Sequence, residues 1–409
     1  MKIIRRQHHL GSQRLPAGLH PVLQRVYLNR GVTAAEELDL ALRRLHHAAE
    51  LSGIEQAVEL LTDALEKQRR ILIVGDFDAD GATSCALSVR ALRAMGAANV
   101  DYLVPNRFDF GYGLSPQLVE VAMRQRPEVI ITVDNGISSI AGVAAAKLHG
   151  IDVIVTDHHL PGRELPAADA IVNPNLAGDR FPSKHLAGVG VVFYLLAALR
   201  SSLRRQGWFQ QRRIAEPAMA EQLDLVALGT VADVVPLDHN NRILVEHGLR
   251  RIRAGRCCAG IAALIEVSGR SRRRLVATDL AFALGPRLNA AGRLEDMSLG
   301  IELLLTDDAD TALRLAAELN VLNLQRREIE EQMQQQAQAL LGDLDLAAAE
   351  ALPPALTLFD QRWHQGVIGI LAARIKERVH RPVVAFAAAA GDDLRGSARS
   401  IGGVHIRDV

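Results

Sequence analysis

Cysteine is scarce in this 409-residue chain: Cys85, Cys257 and Cys258 are its three, and the adjacent pair is poorly placed to bridge itself. A disulfide framework is excluded, and a reducing cytosol fits. No apolar run reaches the roughly 20 residues that a membrane-spanning helix needs. The opening segment, Met1-Lys2-Ile3-Ile4-Arg5-Arg6-Gln7, holds no apolar stretch of signal-peptide length, so neither a membrane nor secretion is expected. Net charge is also missing, because Lys+Arg and Asp+Glu stand at 47 each, and its sign names no partner. Lysine is nearly absent among those cations: Lys2, Lys67, Lys147, Lys184 and Lys376 are the whole set. The remainder is arginine, the better bidentate phosphate clamp, although codon bias in a GC-rich genome is the plainer account of most of it. Aromatic residues make up 4% of the chain, so base stacking on a nucleic acid would be sparse.

What is present is a large apolar fraction, 49%, in a chain longer than one core usually holds, which predicts two or three globular units. Residues 1–68 read as a polar lead-in and then a helical pattern, with no chemistry. From Ile71 the texture changes. Runs such as Ile71–Val74, Val129–Val133 and Val153–Thr156 alternate with alanine-rich segments of helical length. Uninterrupted apolar runs suit strands covered on both faces, as in a parallel α/β sheet. Each run ends in acidic or histidine residues, and ligands of open α/β sheets sit beyond the carboxyl ends of the strands.

Residues 190–300 read as mostly helical, with arginine-rich loops. A long amphipathic stretch follows, with Thr306 as N-cap before Asp307 and Asp308, and Leu315, Leu319, Leu322, Ile329 and Met333 at helical spacing up to Gly342. About 35 residues give roughly 50 Å of helix, enough to bridge two domains. Two helices with a break near Asn320–Asn323 are the alternative. After Pro353-Pro354 a second, smaller α/β unit begins: a strand (Ala355–Phe359), a helix (Gly366–Val379) and two strands (Pro382–Ala387, Leu394–Ile401). Roughly 55 residues is marginal for an independent core, and the unit reads as unfinished where the sequence stops at Val409.

The sharpest segment is Gly75-Asp76-Phe77-Asp78-Ala79-Asp80-Gly81. Carboxylates at alternate positions of an extended segment converge, and like charges this close repel unless a cation sits between them. A divalent metal site is one reading; a solvated acidic turn or a calcium-type loop is the other, although no glutamate follows where an EF-hand needs it. Asp134-Asn135-Gly136 ends the next run and alone would pass for a turn. Thr156-Asp157-His158-His159 ends another, and Gly229–Pro236 sets Asp233 in an apolar context where an unpaired charge is costly. Oxygen ligands with one or two imidazoles and no thiolate suit Mn²⁺ or Mg²⁺ better than zinc. Cys85 reads as core.

Together these four segments resemble the DHH phosphoesterase superfamily, and within it the bacterial single-strand-specific DNA exonucleases. The likeness runs from about residue 70 onward. It takes in Pro105-Asn106-Arg107, Gly111-Tyr112-Gly113-Leu114, Asn173-Pro174-Asn175 and Ala187-Gly188-Val189-Gly190, then Gly285–Arg293, Trp363–Gly369 and Gly396–Ser400. The resemblance implies an α/β fold: a parallel-sheet DHH domain (69–302, with a helical insert) after a helical lead-in (1–68). A long connecting helix (303–343) would join it to a smaller, incomplete DHH-associated domain (351–409), in a chain lacking the family's later strands and OB-fold. It also implies two Mn²⁺ or Mg²⁺ ions, Asp76 and Asp78 serving one, Asp80, His158 and Asp233 the other, and Asp134 bridging. Asp157 would orient an imidazole, and His159 would face the scissile phosphate. Arg287, Asn289 and Arg293 would contact phosphates, with Ser397, Arg399 and Ser400 reaching across from the second domain. Arg270–Arg274 is a candidate backbone track, a solvated loop being the alternative.

The implied activity is metal-dependent 5′→3′ exonucleolytic hydrolysis of single-stranded DNA to mononucleotides, in recombination and repair. The implied partners are single-stranded DNA, a single-strand-binding protein and a repair helicase, with a monomeric protein in the cytoplasm. The alternatives are a DHH hydrolase of oligoribonucleotides or cyclic dinucleotides and an inactive nucleic-acid-binding fragment.

Overall fold

A computed structural model describes residues 15–16, 18–106, 110–342, 353–389, 391–404 and 406. The opening Met1–Gln7 segment, Arg107 of the Pro105–Arg107 motif, and the domain junction at 343–352 lie outside them. Five strands form a parallel sheet: β1 (Ile71–Gly75), β2 (Val100–Leu103), β3 (Val129–Val133), β4 (Asp152–Thr156) and β5 (Ala170–Val172), in the order β2-β1-β3-β4-β5. β1 and β3 are buried along their whole length, as continuous apolar runs require when helices cover both faces. Alternate residues feed two cores. Ile71, Ile73, Val129 and Ile131 join the larger one, while Leu72, Val74, Ile130 and Val153 pack against Leu118 and Val143 on the other face. The two edge strands, short and weakly patterned, are not evident from sequence.

Four helices of this unit position the site: α1 (Ala79–Ala94), α2 (Gly188–Arg205), α3 (Leu223–Ala232) and α4 (Gly285–Leu294). In α3, apolar residues occupy every face, and every residue from Leu223 to Val231 is buried, as a helix apolar all round must be. Cys85, inside α1, is buried and unpaired, as expected.

The long amphipathic stretch is one unbroken helix of 33 residues, α5 (Ala309–Leu341). It begins later than the spacing predicts. Thr306 closes a separate helix, Ser298–Leu305, and the cap is Asp308, whose side chain accepts from Thr311 N. A carboxylate there answers both the free amides and the helix dipole, so Asp308 displaces Thr306. No break occurs at Asn320–Asn323; Asn323 is buried within the helix. The two halves of α5 serve different cores: Ala312, Leu315 and Leu319 belong to the large one, Met333, Ala337 and Leu341 to the small one.

The small unit holds β6 (Leu356–Phe359), α6 (Ile368–Val379), β7 (Val383–Ala388) and β8 (Leu394–Arg399), in a sheet ordered β6-β7-β8. β6 pairs parallel to β7 and β8 antiparallel to it, so the sheet is mixed. No helix of the described residues is long and apolar enough to cross a membrane.

Candidate metal centre

The tips of β1, β3 and β4, neighbours in the middle of the sheet, bring the acidic segments together. After β1 the chain turns into α1, and Asp78 is its N-cap: its Oδ1 accepts from Asp80 N at 2.9 Å and Gly81 N at 3.0 Å. α4 braces this turn. Asn289 Oδ1 accepts from Ala79 N at 2.7 Å, and Gly292 lies so close that a Cβ would meet Phe77 O at 1.9 Å. After β3, Asp134 adopts a left-handed backbone (φ 61°), a strained choice for a residue with a Cβ. Asn135 Nδ2 clamps the tips together by donating to Val74 O and Val133 O. Opposite stands the start of α2, where an added Cβ on Gly188 would lie 2.6 Å from the Asp134 side chain.

Two sets of three ligand atoms result. Asp76, Asp78 and Asp134 offer one set, and Asp80, His158 and Asp233 the other, each with its atoms within 4.8 Å of one another. A third grouping, Asp134, His158 and His159, overlaps both. His158 Nε2 lies 3.1 Å from Asp134 Oδ1 and 3.6 Å from Asp233 Oδ2. Despite that proximity, Asp134 Oδ1 and His158 Nε2 are buried atoms with no hydrogen-bond partner. Oxygen and imidazole donors converging on orphaned buried atoms fit a hard divalent cation. Asp80 also anchors a helix start: its two oxygens accept from Gly188 N (2.6 Å) and Val189 N (2.9 Å), the first amides of α2. Asp233 comes from the C-terminal end of α3 rather than from a strand. The next residue, Val234, is β-branched, 79% exposed and left-handed (φ 64°), so local strain accompanies this ligand.

The electrostatics describe an acidic site short of positive charge. Burial, then the Asp78 charge, pushes Asp80 up to about 7. Burial, then Asp80 and Asp78, pushes Asp233 up to about 8. Asp134 is raised well above the carboxylate range by burial and its four acidic neighbours. Burial, with the His159 charge, lowers His158 to about 4, so this ring is neutral at pH 7. His159 moves the other way. Burial opposes its charge, but the hydrogen bond and charge of Asp157 prevail and raise it to about 9. Asp157, itself fully buried, accepts from His159 Nδ1 at 2.7 Å and from Ile137 N at 2.9 Å.

A cleft of about 440 Å³ is lined by Phe77, Tyr112, Arg293, Gly366, Ser397 and Arg399, and Tyr112 connects it to His159. The Tyr112 hydroxyl lies 3.2 Å from His159 Nδ1. Arg293 spans the two units, its Nη1 donating to Gly366 O at 3.1 Å. Ser400 faces elsewhere, bonding to Val404 O. Arg287 is not brought to the cluster either: its guanidinium donates to Asn320 Oδ1 of α5 and to Ala283 O. Arg272–Arg274 form an exposed turn, and Arg270 pairs with Asp279. A cavity of about 680 Å³ lies between Leu42–Val58 and α2 and includes none of the acidic cluster.

Four asparagines do work here that sequence reasoning does not assign to them. Asn135 ties the strand tips, and Asn289, expected at a phosphate, holds the acidic turn. Asn173 and Asn175 donate to the carbonyls of His159 and His158 at 2.9 and 2.6 Å, fixing both imidazole residues from behind. Each lies inside one of the motifs above, so the available signal is an amide side chain beside a strand tip whose carbonyls need donors.

Comparisons with known proteins agree with this geometry. The family description "DHH family, N-terminal domain" matches residues 70–230, and "DHHA1 domain" matches 352–409. The single-stranded-DNA-specific exonuclease RecJ of Salmonella typhimurium is 58% identical over 406 residues, covering 99% of this chain and 70% of that protein. The protein of the same name from Escherichia coli is 59% identical over 395 residues, covering 97% and 68%. A crystal structure of exonuclease RecJ bound to manganese matches with a TM-score of 0.73 at 38% identity, covering 88% of this chain and 84% of that one.

Proposed function

The chain belongs to the DHH family, and within it to the RecJ exonucleases, and from that premise we propose that it hydrolyses the phosphodiester bonds of single-stranded DNA from a 5′ end, releasing mononucleotides, with two Mn²⁺ or Mg²⁺ ions. One observation carries the reading. Asp134 Oδ1 and His158 Nε2, both buried and unpartnered, face each other at 3.1 Å between two sets of three ligands. An acidic oxygen and an imidazole nitrogen this close, buried and with no hydrogen bond between them, are the arrangement that a shared cation would satisfy. Asp76, Asp78 and Asp134 would hold one ion, and Asp80, His158 and Asp233 the other, with Asp134 between them. When bound, such ions supply a nucleophilic water at neutral pH and neutralise charge on the phosphate.

The remaining work belongs to the chain. Asp157 positions His159 and keeps it cationic near neutrality, and His159 stabilises negative charge on the scissile phosphate. Arg293, Ser397 and Arg399 line the cleft and bind the strand. Asn289 acts through the acidic turn that it braces, and Arg287 acts through α5, which it ties to α4 by its bond to Asn320. The division 69–302, 303–343 and 351–409 belongs to the same reading, as do a cytoplasmic location, a monomer, and work beside a single-strand-binding protein and a repair helicase in recombination and repair.

The test is 5′-labelled single-stranded DNA with Mn²⁺, given to wild type and Asp134→Ala. Mononucleotide release by wild type and a loss of about 10³-fold or more in the variant are expected. Equal activity overturns the reading. Faster cleavage of a short RNA in a parallel arm points instead to an oligoribonucleotide hydrolase.

A further inference from the structure

The cavity of about 680 Å³ between Leu42–Val58 and α2 takes no part in the metal centre, yet it falls in the size range of small-molecule sites, roughly 300–1,000 Å³. It stays open because the side chains that α2 turns toward it, Ala197, Ala198 and Ser201, are too short to fill it. Leu195, Leu199 and Leu203, on the other faces of the same helix, are packed into the large core. Beneath the opening the wall is apolar, with Phe193 and Met219 both buried. The cavity is also remote from the carboxylates. α2 begins with the amides of Gly188 and Val189 on Asp80, and its last residue, Arg205, lies roughly 25 Å further along the helix axis.

The rim is cationic in a chain whose positive and negative residues balance at 47 each. Arg43, Arg200, Arg204 and Arg205 line the cavity against one carboxylate, Glu55. Carboxylates outside it answer part of that charge: Asp39 pairs with Arg43 at 3.0 Å, and Glu216 with Arg200 at 2.5 Å and Arg204 at 3.7 Å. Two groups stay unanswered. Arg205 pairs with no carboxylate among the described residues. Arg200 gives its Nη2 to Glu216 but keeps Nε, a buried donor atom without a hydrogen-bond partner. A buried donor left without an acceptor is costly, and a charged one more so.

An occupant that satisfies these groups carries an anionic acceptor on a compact apolar body. Phosphate suits two guanidinium groups better than a single carboxylate oxygen does. A planar body fits beside the short side chains of Ala197 and Ala198, and Ser201 and His47 offer hydrogen bonds to polar atoms on its edge. We propose that the cavity is a binding site for a 5′-mononucleotide, with the phosphate on Arg205 and Arg200 Nε and the base against Ala197, Ala198 and Phe193. The choice of ligand rests on the hydrolytic reading above, whose product is that molecule. The site itself is separate from the cleft in which that product forms.

Calorimetric titration of the full chain with deoxyadenosine 5′-monophosphate, without divalent cation, tests the site. Arg205→Ala is expected to weaken binding about tenfold, as is Ala198→Leu, which fills the cavity. Arg399→Ala, in the cleft, is expected to leave it unchanged. Deoxyadenosine without its phosphate, and inorganic phosphate without the nucleoside, are each expected to bind at least tenfold more weakly. Thermal unfolding of the two cavity variants shows that a loss of binding is not a loss of fold. No binding by wild type overturns the proposal. So does binding that survives in Arg205→Ala and Ala198→Leu, or that is lost in Arg399→Ala, because either result places the nucleotide in the cleft. Tighter binding of palmitate, an apolar anion without a base, overturns it as well. Hydrolysis of 5′-labelled single-stranded DNA with Mn²⁺, read in parallel on wild type, separates the two ideas. Hydrolysis without nucleotide binding at the cavity sinks the site alone, and binding there without hydrolysis supports the site while sinking the reaction.

Discussion

Every residue of β1 and β3 in the five-stranded sheet is buried, whereas no residue of β8 in the three-stranded sheet is. Phe77, just past β1, and Tyr112, between β2 and β3, line one cleft with Ser397 and Arg399 of β8. The buried strands end in Asp76 and Asp134, which must sit within a few tenths of an ångström of set positions to share ions. β8 presents Ser397 and Arg399, which meet a substrate that can adjust. Rigidity is therefore concentrated where the ligands are, and the side that closes over the substrate is built on an exposed edge. Packing density supplies the first property, since a close-packed interior transmits displacement; surface arginines, with long stems, tolerate the second.

Beyond the loss set for Asp134→Ala, the largest effect that tests this contrast is expected in Asp157→Asn. Its kcat should fall about 100-fold, because a group that orients an active-site imidazole is lost. Arg399→Ala should raise KM about tenfold with a smaller change in kcat. The pH profile separates the two further. His159 is cationic below its raised value of about 9, so wild-type activity should fall as pH rises through 9. In Asp157→Asn that fall should move toward the ordinary histidine range, and in Arg399→Ala it should stay. Comparable kcat losses in the two variants would erase the distinction.

Stability offers the next comparison. Gly188→Ala places a Cβ 2.6 Å from Asp134 and 2.8 Å from its Cα, where the left-handed backbone cannot yield, and should cost about 3 kcal/mol by thermal or urea unfolding. Gly396→Ala in β8 meets only the half-buried Phe386 ring, also at 2.6 Å, which can swing, and should cost about 1 kcal/mol.

Without divalent cations the acidic site should make the protein less stable as pH rises. Asp80 and Asp233 have native values near 7 and 8, above their unfolded ones, so the native state holds protons that the unfolded chain releases. Their stabilising contribution is complete below the unfolded carboxylate range and is lost as pH climbs through 7 to 8. The slope is roughly 1.4 kcal/mol per pH step for each such proton. Mn²⁺ should reverse the trend, with a thermal shift that grows with pH. The smallest effect is local: Val234→Gly should raise stability by about 1 kcal/mol by relieving a left-handed valine.

Much of the large domain is legible in the sequence. β1, β3 and β4 stand out as apolar runs because strands buried on both faces leave no place for polar residues. Their acidic tips stand out because carboxylates cluster only against a counter-charge. The edge strands β2 and β5 are not legible, since few residues and partial burial leave little pattern. Thr306 passes for a cap because one-dimensional spacing cannot tell which of two capping residues finds a free amide. Arg287 groups with Arg293 because they share a motif, yet on a helix six positions apart they point to different neighbours, one to Asn320 and the other to Gly366.

Residue chemistry and local periodicity, both carried in one dimension, determined the element types, the ligand kinds and the need for a hard cation. Tertiary structure alone decided which ligands stand together. The order β2-β1-β3-β4-β5 makes neighbours of tips far apart in sequence, a helix end supplies Asp233, and the start of α2 settles against Asp80 and Asp134. Such neighbours are selected by the packing of whole elements against a common core, and no local stretch of chain contains that information.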